Sequence, residues 1–95
     1  MAAVNIRFTD NQSGKGDNID VSPKNHAQSV ADLLAHTAVG QGGFITSIEL
    51  RNNRNGITCV IKKNGADIGT INENNNVKEF QRTAISELTI LVTRA

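Results

Sequence analysis

Four stretches of this chain alternate apolar and polar side chains with a period of two, and that pattern commits much of the sequence to half-buried strands. Val4, Ile6 and Phe8 alternate with Asn5, Arg7 and Thr9. Phe44, Thr46, Ile48 and Leu50 alternate with Ile45, Ser47 and Glu49. Ile57, Cys59 and Ile61 fall on one side of a third stretch, opposite Thr58, Val60 and Lys62. Leu88, Ile90 and Val92 alternate with Thr89, Leu91 and Thr93 in a fourth. Each strand must bury its apolar side against another element, so the first-named residues of each set, Thr46 apart, are expected to form the core face.

The rest of the chain supplies turns and one helix pattern. A loop with two glycines, Ser13 to Asn18, leads into Ile19-Asp20-Val21, which suits a short return strand. Ser29-Val30-Ala31-Asp32 resembles a capping box with Asp in place of Glu, and Val30, Leu33, Leu34 and Ala38 make an apolar stripe at helical spacing. The expectation is a helix from Ser29 to Val39 that ends at Gly40, with Ser22-Pro23 as an earlier start. Asn55-Gly56 and Asn64-Gly65 are hairpin signals, because both central residues of a type I′ turn need positive φ. The second of them leads into a further strand, Ala66 to Ile71. Many of the 12 asparagines cluster in 51–55 and 72–76, where they read as turns. Val77 and Phe80, three apart, suit a single helical turn, which leaves 77–85 open between helix and loop.

Together these elements predict a single α+β domain over residues 1–95, one helix packed on a mostly antiparallel sheet of four to six strands. That element order resembles the β-grasp (ubiquitin-like) family: an N-terminal strand pair, a helix, then strands running to the C-terminus. The resemblance implies a β-grasp-like fold and, as one alternative, a ubiquitin-like carrier. Carriers of that family end in Gly-Gly, whose carboxylate is activated, whereas this chain ends Val92-Thr93-Arg94-Ala95. Carrier chemistry therefore does not transfer. The Asn55-Gly56 hairpin is also additional to the family plan.

A net charge of +1 gives no long-range field to draw in nucleic acid or an anionic membrane. The lone Cys59 allows no intramolecular disulfide. The polar opening Ala2-Ala3-Val4-Asn5 lacks a signal-peptide pattern, and no apolar run approaches the roughly 20 residues of a membrane span. The expected location is the cytoplasm, or a particle assembled from it.

No motif supports an enzyme or a cofactor. Ser13-Gly14-Lys15-Gly16 lacks both the upstream glycine and the Ser or Thr of a phosphate loop. Gly40-Gln41-Gly42-Gly43 leaves an expected helix C-terminus, the wrong end for binding an anion. His26 and His36 are ten residues apart and Cys59 falls among core positions, so no metal-ligand spacing arises. The carboxylates are dispersed, and no small-molecule substrate is indicated. Arg51, Arg54, Lys62 and Lys63, near the two Asn-Gly turns, offer an alternative function as a basic hairpin on a nucleic-acid backbone. Against it, the chain has no Trp or Tyr and three Phe, too few for a stacking platform.

The favoured expectation is a non-enzymatic protein–protein interaction or assembly module. If the core face is covered, Ile45, Val60 and Leu91 point outward among Thr58, Thr89 and Thr93, a surface suited to a protein partner or to self-association. The Asn-rich, Thr-rich, single-Cys composition also resembles small phage-type structural (cement or decoration) proteins and host-directed inhibitors.

Overall fold

The computed structural model describes residues 2–95. Strand accounts for 55% of the chain and helix for 13%, so the expected helix-on-sheet layout is overturned. Eight strands form two four-stranded antiparallel sheets: β1 (Val4–Asp10), β2 (Lys15–Val21), β3 (Gln28–Ser29), β4 (Phe44–Leu50), β5 (Ile57–Lys63), β6 (Ala66–Asn72), β7 (Val77–Ala84) and β8 (Leu88–Arg94). The first sheet runs β2-β1-β4-β7 and the second β3-β8-β5-β6. Their inner faces meet in one contiguous core in which Ile6, Phe8, Ile48 and Leu50 of the first sheet join Cys59, Ile61, Ile71, Ile90 and Val92 of the second. A β-grasp-like layout of one helix over one sheet does not describe this chain.

The long helix fails for a local reason. Two short helices, α1 (Val30–Leu33) and α2 (Ala38–Gly42), occupy its place. The Thr37 hydroxyl donates to the Leu34 carbonyl at 2.8 Å and accepts the Gly40 amide at 2.9 Å. Such a side chain offers the backbone an alternative to helical propagation, so it closes α1 and caps α2 in one stroke. Of the expected stripe Val30 and Leu34 are buried, Leu33 is half-buried and Ala38 is exposed, and Val39 takes a core position in its place. Gly43, at φ 81°, is the residue that ends α2, and Gly40 lies inside that helix. Pro23 starts no helix; residues 22–27 run irregularly toward β3.

The two Asn-Gly pairs part company. Asn64 and Gly65 both take positive φ, 50° and 84°, and close the β5–β6 hairpin between Lys63 and Ala66. At the other pair Gly56 is at φ 72° whereas Asn55 is not in that region, and Asn53 is at 61°. Here the loop carries the chain from the first sheet to the second, so no hairpin forms. The open segment 77–85 is mostly strand: β7 pairs with β4, followed by a 3-10 turn, Ile85–Glu87.

One departure from alternation matters for the surface. Phe44 is 39% exposed while Ile45 is 0% exposed, the reverse of the period-two expectation. The β4–β7 register slips between Ile45 and Ser47, because Ile45 faces Thr83 while Ser47 faces Glu79. The β1–β4 ladder stops at Thr9 and Ser47. Beyond it the Thr46 hydroxyl takes over, donating to the Thr9 carbonyl at 3.2 Å and accepting the Asn11 amide at 3.0 Å. A bulge of this kind twists the strand locally and re-aims side chains. Ile45 becomes core, and its expected place on an outward interaction face is corrected.

Candidate functional site

The outer face of the second sheet is built from β5 and β8, which pair through Thr58–Thr93, Val60–Leu91 and Lys62–Thr89. Directly opposed residues share a face, so Val60 and Leu91 form a central apolar pair bracketed by threonines. β6 adds Thr70 beside Val60 and Asn72 beside Thr58, and β3 adds Ser29 beside Thr89. Val60, Leu91 and Thr89 are half-buried, and Thr58, Thr70 and Thr93 are exposed. Inward neighbours on the same strands, Cys59, Ile61, Ile90 and Val92, are fully buried. Charge enters this face at one margin, where Lys62 lies opposite Asp67.

The outer face of the first sheet is different in kind. Asn5 donates to Asp20 at 3.0 Å and Arg7 donates to Asn18 at 2.9 Å, both across the β1–β2 pair. Glu49 lies beside Arg7, and Glu79 beside Ser47. Four ionisable groups, Arg7, Asp20, Glu49 and Glu79, keep that face hydrated.

The basic residues do not converge. Arg51 and Arg54 lie in the loop before β5, while Lys62 and Lys63 end the same strand. Five residues of extended chain from Ile57 to Lys62 span about 17 Å, so the two pairs occupy opposite ends of the sheet. Arg51 is engaged by Glu49 at 3.5 Å, and Arg54 donates to the Leu50 carbonyl at 3.3 Å. The basic hairpin expected from the sequence is therefore not assembled, the physical cause being that residues 51–56 cross between sheets.

At the end of the core near the bulge sits a feature the sequence did not flag. Asp10 continues the inward series of Val4, Ile6 and Phe8 and is buried. Arg82 grips its carboxylate in a fork, with Nη2 to Oδ2 at 2.9 Å and Nε to both oxygens at 3.2 Å, and the Gln12 amide adds a bond at 3.2 Å. The guanidinium also lies 4.4 Å over the centre of the Phe44 ring. The β7 bulge brings Arg82 to this position, so the pair plugs the core where strand alternation would otherwise leave a bare carboxylate. The Arg82 hydrogen bonds hold Asp10 down to about 2, against the opposing effect of burial. A folded-state value below the unfolded one adds stability that is present above the ordinary carboxyl pKa near 3.8 and disappears as pH falls from there to about 2. Thermal unfolding across that acid range should show the melting temperature of the wild type dropping. An Asp10→Asn variant, less stable at neutral pH, should lose this part of the drop.

Two other places bear on chemistry, the buried Cys59 and a depression beside α1. Burial pushes the Cys59 thiol up to about 12, which keeps it protonated at neutral pH. A shallow depression of about 320 Å³ is lined by His26, Ser29 and Asp32 among others. There the Ser29 hydroxyl caps α1 by accepting the Asp32 amide at 3.3 Å, and His26 contacts Asn25 at 3.4 Å. No hydrogen bond joins His26 to Ser29 among the described residues, so the three do not form a nucleophile–base pair. Among the described residues no helix is long and apolar enough to cross a membrane. Phe44 and Val77, the most exposed large apolar residues, sit at opposite ends of the β4–β7 pair and make no continuous patch.

Compared with known proteins, the chain matches no family, no curated protein and no solved structure.

Proposed function

We propose that this chain is a non-enzymatic interaction module that assembles through the outer face of its second sheet. The observation that carries the reading is the Val60–Leu91 cross-strand pair, set among Thr58, Thr70, Thr89 and Thr93 on a face whose charges lie at one margin. Charge-poor, β-branched surface loses little on desolvation, whereas the hydrated groups of the first sheet would each have to be paired on burial. A decoration-type subunit of a particle built in the cytoplasm and an inhibitor docked on a host protein would both use such a face.

The test is a matched pair of substitutions on the two outer faces. Leu91→Lys places a charge at the centre of the proposed face, and Glu49→Lys alters the opposite one. Binding to a partner captured from the native source should weaken by more than tenfold for Leu91→Lys, since central interface residues commonly carry about 2 kcal/mol or more. Glu49→Lys should bind as the wild type does. Equal binding by both variants would place the interface elsewhere.

A further inference from the structure

We infer that Asn64 is a site of self-modification, losing its side-chain nitrogen as ammonia through a cyclic imide with Gly65, and that Asn55, in the other Asn-Gly pair, is protected by Arg94. The inference stands on the geometry of the two turns and is independent of the interaction reading above.

In the reaction the Gly65 amide nitrogen gives its proton to water and attacks Asn64 Cγ. The Cγ–Nδ2 bond then breaks, and the departing nitrogen takes up a proton from water and leaves as ammonia. Water opens the resulting imide ring at either carbonyl, so asparagine and water become aspartate or isoaspartate plus ammonia. Glycine favours the step because no side chain shields its nitrogen, a demand that both Asn-Gly pairs meet. What separates the pairs is whether the peptide between the two residues can turn.

Asn64 and Gly65, at φ 50° and 84°, are the central pair of a type I′ turn between Lys63 and Ala66. Turning over the middle peptide of such a turn gives type II′, whose first central residue has ψ of about −120°. At that angle the next nitrogen eclipses Cβ and comes within reach of Cγ. An L residue visits the orientation only briefly, but no backbone bond has to break for the visit. Among the described residues neither the Asn64 carbonyl nor the Gly65 amide is hydrogen-bonded, and both residues are exposed. Asn64 does donate its own amide to the Glu87 carbonyl at 2.8 Å and Nδ2 to Glu87 Oε1 at 3.2 Å. The first bond lies outside the peptide that turns, and the second is an exposed contact between side chains.

The Arg54–Ile57 turn is built differently. The Ile57 amide donates to the Arg54 carbonyl at 3.0 Å, and Gly56 alone of the central pair has positive φ, the type II pattern. Its middle peptide is held. Arg94 Nη1 donates to the Asn55 carbonyl at 2.6 Å, and Nη2 of the same guanidinium donates to the carbonyls of Asn53 at 3.0 Å and Ala2 at 3.1 Å. Turning that peptide would take the Asn55 carbonyl away from a charged donor, which makes one of the stronger kinds of hydrogen bond.

The product disturbs the turn that holds it. A carboxylate at position 64 replaces the carboxamide that now donates to Glu87, setting two anions side by side. The isoaspartate form also adds a backbone carbon to a two-residue turn, whose length fixes the β5–β6 register. The aged chain should therefore melt below the fresh one.

The experiment is incubation of the purified, folded chain at mildly alkaline pH, followed by ion exchange and by peptide mapping with mass spectrometry. Asn64 should gain the mass of an amide-to-acid conversion, and the chain should gain a negative charge. Asn55 should react at least about tenfold more slowly, the rate equivalent of first breaking a hydrogen bond to a charged donor. In denaturant, where neither turn persists, the two should convert at similar rates. At temperatures where circular dichroism shows the variant folded, Arg94→Ala should speed Asn55 and leave Asn64 at the wild-type rate. Arg94→Lys, which keeps the charge without the fork that spans three carbonyls, should fall between the two. Asn55 reacting as fast as Asn64 in the folded wild type overturns the assignment, as does an Asn64 that stays intact under conditions where the denatured chain converts. Arg94→Ala with no gain at Asn55 overturns the protection by Arg94.

Discussion

Ile61→Lys is expected to leave the chain unfolded at room temperature, while Val60→Lys, one residue away, melts within a few degrees of the wild type. Ile61 is fully buried on an inner strand of its sheet, with Ile90 on one side and Gly69 on the other. The buried acidic residue among the described residues, Asp10, is already held by Arg82 and is not free to pair an ammonium there. The lysine must then either carry a charge into an apolar interior or give up its proton, and its extra length overpacks the site by about 1–3 kcal/mol in addition. A domain of this size holds about 5–10 kcal/mol of stability, and the sum of these effects consumes most of it. Val60 has the opposite orientation, and a surface substitution there should cost at most about 1 kcal/mol. Far-ultraviolet circular dichroism with a melting curve separates the two. Equal collapse of both variants would make the outer face part of a core and end the interaction reading.

Gly40→Ala is expected to cost about 2–4 kcal/mol, a fall of more than about 10 °C in melting temperature, although alanine is the better helix former. A Cβ on Gly40 would overlap the Leu34 carbonyl oxygen and stand 2.8 Å from the carbonyl carbon and 2.9 Å from the Thr37 hydroxyl. None of these can yield easily. The Leu34 carbonyl accepts the Thr37 amide at 3.0 Å as well as its hydroxyl, and that hydroxyl in turn accepts Gly40. Making room would break the turn that holds both Leu34 and Val39 in the core. Gly42→Ala is the control: the nearest atom to its Cβ would be Lys15 Cδ at 4.0 Å, so stability should hold or rise slightly. If the two alanine variants melt alike, the turn is not what orders α1 and α2.

Much of the secondary structure and part of the candidate face were legible in the sequence because they depend on neighbours along the chain. Period-two alternation located β1, β4, β5 and β8, and with β5 and β8 it gave the outward direction of Thr58, Val60, Thr89 and Leu91. Asn64-Gly65 specified its hairpin because two positive φ values in succession are a local demand. The helix pattern misled, since Val30, Leu34 and Val39 do face the core but from either side of a turn enforced by one threonine hydroxyl.

Alternation says which residues of a strand share a face; it does not say which sheet the strand joins or where a ladder slips. Hence Asn55-Gly56 reads as a hairpin yet lies where the chain changes sheets, and the basic residues around it end up apart. Ile45 and Phe44 exchange sides because β7 carries extra residues opposite β4, a fact about pairing between segments more than thirty residues apart in the chain. The same slip brings Arg82 to Asp10, while Lys78, whose partner is the core residue Ile48, turns inward at the edge. The sequence by itself therefore determined β1, β5, β8 and most of β4 with the faces they present, through steric preferences that act over a few residues. Tertiary structure alone decided the division into two sheets, the slip between β4 and β7 and the plugged core, because those follow from burying all the apolar faces at once.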